Sequence, residues 1–375
     1  MWNSRSALVA SLMMIGVSGV PVAASALSPV HKQRPRIEVA FVLDTTGSMG
    51  GLIEGAKKKI WSIASKIAKG DPTPELRVGL VGYRDRGDAY VTKRFDLTDN
   101  LDLVYENLQG FKADGGGDTP EHVGQALGEA VKEFSWSDDK RTLKMIFVVG
   151  DAPPQTYGDG WNYKEWAKKG IAQGIMINAV RCGQDPITEV AFREIANLAD
   201  GQFITIDGSG GMLAVATPFD AEIAEVTRQI GETSLYAGRA EAREKADVAK
   251  RALGAMDDEA AADRAGYAAA SGASVAAAPA APGVKDLVAE EPARVASVPE
   301  AELPAALRDL SAQERVAKVA ALQAKRAVLE KKLVALSKQR DEHISKAAPE
   351  REDSFDGAVM KEVRSKAARI GVTYK

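Results

Sequence analysis

The residues best suited to chemistry begin in the run Val42-Leu43-Asp44-Thr45-Thr46-Gly47-Ser48-Met49, where a carboxylate is followed by hydroxyls two and four residues on. Two further candidates lie downstream. Thr119 sits in the glycine-rich stretch Asp114-Gly115-Gly116-Gly117-Asp118-Thr119-Pro120-Glu121, and Asp151 follows the apolar run Phe147-Val148-Val149-Gly150. A hard divalent cation takes oxygen ligands, and Mg²⁺ in particular keeps bound waters and is held through only one or two carboxylates. Asp44 and Asp151 formally cancel its charge, while the neutral hydroxyls of Thr46, Ser48 and Thr119 fill positions without adding to it. Such an ion still attracts an outside carboxylate. Mg²⁺ is the cofactor this set predicts, with Mn²⁺ or Ca²⁺ as the alternatives.

For these five residues to meet, the chain must bring three loops to one point. From Arg36 to about Thr233, short apolar β-branched runs alternate with amphipathic stretches of helical length, which predicts an α/β fold: a doubly wound, mostly parallel six-stranded sheet with helices on both faces. The strands are read at Ile37–Leu43, Leu76–Tyr83, Tyr90–Phe95, Leu143–Val149, Ile175–Arg181 and Phe203–Ile206. Most are continuous apolar runs, as strands buried on both faces are, whereas Tyr90–Phe95 carries Lys93 and Arg94 and reads as an edge. Helices are read at Gly51–Ala68, Leu101–Leu108, His122–Phe134, Tyr163–Gln173, Thr188–Leu198 and Ala221–Ile230. Asp44 and Asp151 then end strands at the carboxyl edge of the sheet, where open α/β folds bind ligands. Each residue also has a plainer reading: Asp44 to Ser48 as a capping loop, Thr119 as a cap before Pro120, Asp118 as a cap or turn residue, and Asp151 as the start of a turn through Pro153-Pro154. Only their joint placement selects the metal.

The pattern Asp44-x-Thr46-x-Ser48, with a distant Thr119 and a distant Asp151, closely resembles the metal-ion-dependent adhesion site of von Willebrand factor type A (VWA) domains. The resemblance covers roughly Arg36–Thr233. It implies a VWA/Rossmann-like fold in which Ser48, Thr46 and Thr119 approach the cation through hydroxyls and the aspartates act largely through bound water. It also implies that an acidic side chain of a partner protein completes the shell, so that the chain works as an adhesion or complex-assembly module rather than an enzyme.

Competing chemistries fit less well. Ser48-Met49-Gly50 lies between strand and helix as a hydrolase nucleophile does, yet Thr46 replaces the first glycine and no histidine follows in the required order. As an aspartyl nucleophile Asp44 wants a second carboxylate where Thr46 stands. Neither a phosphate-binding Gly-Lys-Ser/Thr loop nor a His-Glu-x-x-His helix occurs. A hydrolase using the same strand-end site is nevertheless the alternative class, beside a structural envelope component assembled through the C-terminal helix. Arg86-Gly87-Asp88 reads as a charged turn, His122 opens a helix beside the expected site, and the single cysteine, Cys182, lies in an apolar run as a buried thiol that forms no intrachain disulfide.

A formal net charge of −3, with no basic stripe interleaved with aromatics, excludes a nucleic-acid partner. The apolar stretch from Ala7 to Val22, followed by Ala24-Ser25-Ala26, reads as a signal peptide over 1–26, cut after Ala26 and leaving no stable membrane span; the alternative is an uncleaved anchor. The mature chain is therefore expected outside the cytoplasm, periplasmic or extracellular. The VWA-like domain over 36–233 is followed by a helical extension at 234–256. An Ala/Pro-rich stretch at 257–300 reads as a flexible linker. A helical coiled-coil arm at 301–346 carries Leu322, Leu329 and Leu336 at heptad spacing, interrupted where Arg326 and Arg340 continue the positions of Val319 and Leu333. That seam could pair within the chain or support self-association. A polar tail at 347–375 ends the sequence.

Overall fold

The computed structural model describes residues 34–117, 119–208, 210–211, 216–276, 283–347 and 354–374. The expected signal peptide lies outside the described residues. Among the described residues, no helix is long and apolar enough to cross a membrane.

A six-stranded sheet forms the centre, built from β1 (Arg36–Asp44), β2 (Glu75–Tyr83), β3 (Thr92–Thr98), β4 (Thr142–Gly150), β5 (Ile175–Cys182) and β6 (Phe203–Ile206) in the order β3-β2-β1-β4-β5-β6. All neighbouring pairs are parallel except β2 with β3, which is antiparallel, so the strand carrying Lys93 and Arg94 is indeed an edge. Central β1 shows why the run Ile37–Leu43 is apolar without alternation. Ile37, Val39, Phe41 and Leu43 join one core, while Ala40 and Val42 join the core on the opposite face. Helices α1 (Gly50–Ala68) and α2 (Leu101–Gln109) cover the first face; α3 (Val123–Lys132), α4 (Tyr163–Ala172) and α5 (Pro186–Leu198) cover the second. The result is the doubly wound VWA-like sheet that the sequence predicts.

After β6 the structure departs from expectation. Helices α6 (Asp220–Glu232), α7 (Ala240–Gly254) and α8 (Asp258–Ser271) are followed by a two-stranded antiparallel ribbon, β7 (Tyr236–Ala237) with β8 (Lys285–Asp286), by the short α9 (Ala305–Arg308), by α10 (Ala312–Ala347) and by α11 (Phe355–Ala367). The expected flexible linker over 257–300 is corrected at α8, which packs against the outer side of α1 and buries Ala260, Ala261, Ala262, Ala265 and Ala268. Alanine contributes little apolar area, but it lets two helix backbones approach closely, and Asp257 caps the helix by accepting from Ala260 N at 2.9 Å.

The expected coiled-coil arm is likewise corrected. α10 is a single 36-residue helix laid against α6 and α8, and Val319, Arg326, Leu333 and Arg340 all point into the molecule and are buried. The arginines that interrupt an apolar seam serve instead as buried ion-pair partners. Arg326 meets Asp286 at 2.8 Å, while Arg340 meets Asp220 and Asp263 at 2.6 Å each. The seam thus closes inside one chain.

The expected polar tail is corrected as well, because α11 places Phe355, Val359, Met360 and Val363 in the core beneath the α1 face of the sheet. Phe355 meets Phe41 of β1 edge-on, with ring centroids 5.6 Å apart. The described residues from Arg34 onward accordingly form one compact unit.

Candidate metal centre

β1 ends at Asp44, whose side chain has no solvent exposure. Its Oδ1 accepts from the backbone N–H of Thr46 at 2.9 Å and from the Thr46 hydroxyl at 2.7 Å, and the Thr46 and Ser48 hydroxyls lie 3.3 Å apart. Three of the five predicted residues therefore form a continuous line of oxygens running from the buried carboxylate to exposed Ser48 at the start of the 3₁₀ turn Gly47–Met49. The second carboxylate oxygen, Asp44 Oδ2, is buried with no hydrogen-bond partner. Burial is the main reason that the Asp44 carboxyl is pushed up to about 7; the two Thr46 hydrogen bonds and Arg84 oppose the rise, and Asp151 adds to it.

Asp151 directly follows β4, half-buried, with its carbonyl accepting from the Thr188 hydroxyl at 3.2 Å. Between Asp44 and Asp151 the backbone is close-packed. A Cβ added at Gly150 would stand 2.4 Å from the Tyr83 hydroxyl and 3.3 Å from Asp44 Oδ2, so only glycine fits.

The third loop is tied to the other two by backbone hydrogen bonds. Gly47 N donates to Gly115 O at 3.2 Å and Asp114 N to Thr45 O at 3.1 Å, while Glu121 N donates to Pro153 O at 2.9 Å and Gln155 N to Glu121 O at 2.7 Å. Gly115 and Gly116 have φ values of +80° and +85°, and a Cβ on Gly116 would come within 3.2 Å of Thr46 Cβ. Thr119, at the far end of this loop, is exposed and makes no hydrogen bond to Asp44, Thr46 or Ser48 among the described residues. Its alternative role as a helix cap does not apply. The cap of α3 is His122, whose Nδ1 accepts from Gln125 N at 3.4 Å.

Several residues at the site were not singled out from sequence. Arg84, buried just past β2, donates through Nε to Thr45 O at 3.1 Å and through its guanidinium to Lys112 O at 2.8 Å, pinning two of the loops while its charge favours ionised Asp44. Glu121 is a further buried carboxylate beside Gly116 and Thr46. Tyr83 lies below, donating to Val149 O at 3.0 Å, with its hydroxyl pushed well up by burial and by Asp44, Glu121 and Asp151. The available signal for Arg84 is the one that marks Asp44 and Asp151: a charged residue immediately after a buried strand.

Other candidates settle into structural roles. Cys182 is buried, with its thiol pushed up chiefly by desolvation. His122 is buried with Nε2 3.3 Å from Asp159 Oδ2; desolvation lowers its proton affinity, Asp159 opposes that shift and Arg86 adds to it. Within the Arg86-Gly87-Asp88 turn, Arg86 pairs with Asp159 and stacks on Tyr157 at 4.0 Å, and Asp88 accepts from Gly116 N at 3.1 Å. These side chains brace the loops.

The donor chemistry fits a hard cation. The site offers a buried carboxylate oxygen without a partner, a second carboxylate close enough to repel it, and the Thr46 and Ser48 hydroxyls beside the first. Among the described residues, no group of three or more His, Cys, Asp or Glu side chains is placed to hold a metal by itself. A cation held here would draw on hydroxyls and water for the rest of its shell.

Residues 38–173 match the family model of the von Willebrand factor A domain. The chain is similar to von Willebrand factor A domain-containing protein 7 of Mus musculus, at 32% identity over 149 residues, covering 40% of this chain and 16% of that protein. The Homo sapiens protein of the same name is 34% identical over 121 residues, covering 32% of this chain and 12% of that protein. The matched region thus spans less than a sixth of those relatives. Among solved structures, an aerotolerance-related membrane protein from Bacteroides fragilis aligns with a TM-score of 0.32 and 18% identity, covering 46% of this chain and 92% of that one.

Proposed function

We propose that this chain is an exported, non-enzymatic protein-binding module that holds one divalent cation, Mg²⁺ above all, at Asp44, Thr46, Ser48, Thr119 and Asp151. The observation that carries the reading is Asp44 Oδ2, a fully buried carboxylate oxygen without a hydrogen-bond partner at the edge where three loops meet. Burying an ionised carboxylate without a counter-charge is costly, and a bound cation removes that cost. When bound, the ion supplies Lewis-acid attraction for an incoming carboxylate.

The residues of the chain do the rest. Asp44 and Thr46 fix the inner wall through their paired hydrogen bonds, Ser48 presents a hydroxyl to solvent, and Arg84 holds the loop carbonyls in place. A binding role is favoured over hydrolysis because the Ser48 hydroxyl is shared with Thr46, while His122, the histidine of the α/β domain, is engaged with Gln125 N and Asp159. The match to a VWA domain supports a protein as the partner, and an acidic side chain is the group that a bound cation would attract.

The test is capture of binding proteins from an envelope extract by immobilised full-length protein, with Mg²⁺ or with chelator, using wild type, Asp151→Ala and Thr119→Ala. The expected result is capture that chelator abolishes in wild type and that both variants lose while melting normally. Capture indifferent to chelator overturns the reading, and a variant that still captures in a chelator-sensitive way removes its residue from the site.

A further inference from the structure

A second polar site lies within the helical layer, where α1, α8 and α10 face the end of the chain. They enclose a cleft of about 800 Å³ lined by Ser62, Ser65 and Lys66 of α1, Asp263 of α8, and Ser337 and Arg340 of α10. Its volume falls in the range of small-molecule sites. Two of its polar atoms, Asp263 Oδ2 and Ser337 Oγ, have no hydrogen-bond partner, although their residues are only 5% and 6% exposed. Buried polar groups are almost always satisfied, and two unsatisfied ones in a single cleft ask for a ligand that supplies donors and acceptors.

The charges in the cleft narrow the chemistry. Arg340 is held by Asp220 and Asp263, Lys66 pairs with Asp356 at 3.0 Å, Lys69 at the rim pairs with Asp341 at 2.7 Å, and Arg364, which also lines the cleft, is engaged within the chain. A charged ligand would have to break one of these pairs. A neutral one with many hydroxyls would not, because each hydroxyl can donate to Asp263 Oδ2 or exchange hydrogen bonds with the serines. We propose that this cleft binds a neutral polyhydroxylated small molecule of mono- or disaccharide size.

The experiment is ligand-observed saturation-transfer NMR and calorimetry on the full chain. The probes are glucose, galactose, N-acetylglucosamine, maltose, sucrose and trehalose, with inorganic phosphate and glycine as charged controls. Chelator is present throughout, so that the outcome is independent of the Asp44 site. Ser337→Ala removes one unpartnered hydroxyl and should leave the fold and melting temperature of the free protein unchanged; Asp263→Asn keeps an oxygen for Arg340. The expected result is saturable binding of at least one saccharide by wild type, weakened at least tenfold in both variants, with neither control competing. The proposal is overturned if no saccharide binds saturably, if Ser337→Ala binds as wild type does, or if phosphate or glycine binds in place of the sugars.

Discussion

Thr46 donates both its backbone N–H and its hydroxyl to the same oxygen of Asp44, at 2.9 and 2.7 Å, and so leaves Asp44 Oδ2 without a partner. One carboxylate is thereby held rigidly by half of itself and presented by the other half. The buried position has a pH consequence. The folded protein binds a proton at Asp44 up to about pH 7, whereas the unfolded chain releases it near the ordinary value of 3.8. Across that window the folded state is more protonated at Asp44, so the Asp44 contribution to the stability of the metal-free protein should fall as pH rises from about 4 to 7, by on the order of 4 kcal/mol. Urea unfolding in chelator should show this slope as the difference between wild type and Asp44→Asn, because carboxylates held low elsewhere, such as Asp185 and Glu189, stabilise the fold as pH rises through the same window. A wild type whose pH dependence matches that of Asp44→Asn would contradict the assignment.

Gly150→Ala places a methyl carbon against the Tyr83 hydroxyl and Asp44, where nothing can move without disturbing β1 or β2. A loss of about 1–3 kcal/mol is expected, the range for overpacking a tight site. Chemical denaturation measures it, and an unchanged midpoint would mean that the strand ends are looser than described.

The C-terminal segment should behave as core. Phe355→Ala removes a fully buried ring that packs on Phe41 and is expected to cost about 3–5 kcal/mol. A cost below about 0.5 kcal/mol would restore the tail reading of 347–375.

Arg340→Met leaves Asp220 and Asp263 buried without their shared cation, and a loss of about 3–5 kcal/mol follows. Thermal or urea unfolding decides the matter. A neutral outcome would show that α10 is held by its apolar contacts alone.

What was legible in the sequence follows from how far apart the deciding partners are. Asp44 and Asp151 end buried apolar strands, and a parallel sheet sends such ends to one edge, so these two and the nearby Thr46 and Ser48 could be read from local pattern. Arg84 carries the same signal after β2, but it adjoins the charged turn Arg86-Gly87-Asp88 and its role depends on Thr45 and Lys112 carbonyls that no local pattern announces. The helical layer was misread for a related reason. The alanines of α8 lack the bulk that marks a core helix, although the Asp257 cap and the left-handed Gly272 at its end were both visible signals. Arg326 and Arg340 looked like defects in a heptad because their partners Asp286, Asp220 and Asp263 lie far away in the chain. In α11, Phe355, Val359 and Val363 recur every four residues, a helical stripe short enough to pass for a tail.

The measurement that bears most directly on the proposed metal centre is a Mn²⁺ titration of the full-length protein at pH 8, followed by electron paramagnetic resonance of the free ion, for wild type and Asp44→Asn. The asparagine keeps the shape of the side chain and an acceptor for the Thr46 hydrogen bonds but removes the charge, so folding should persist while the attraction for a cation is lost. One Mn²⁺ per wild-type chain, displaced by excess Mg²⁺, is expected, with at least tenfold weaker binding by Asp44→Asn. Equal binding by the two proteins, or none by wild type, would contradict it.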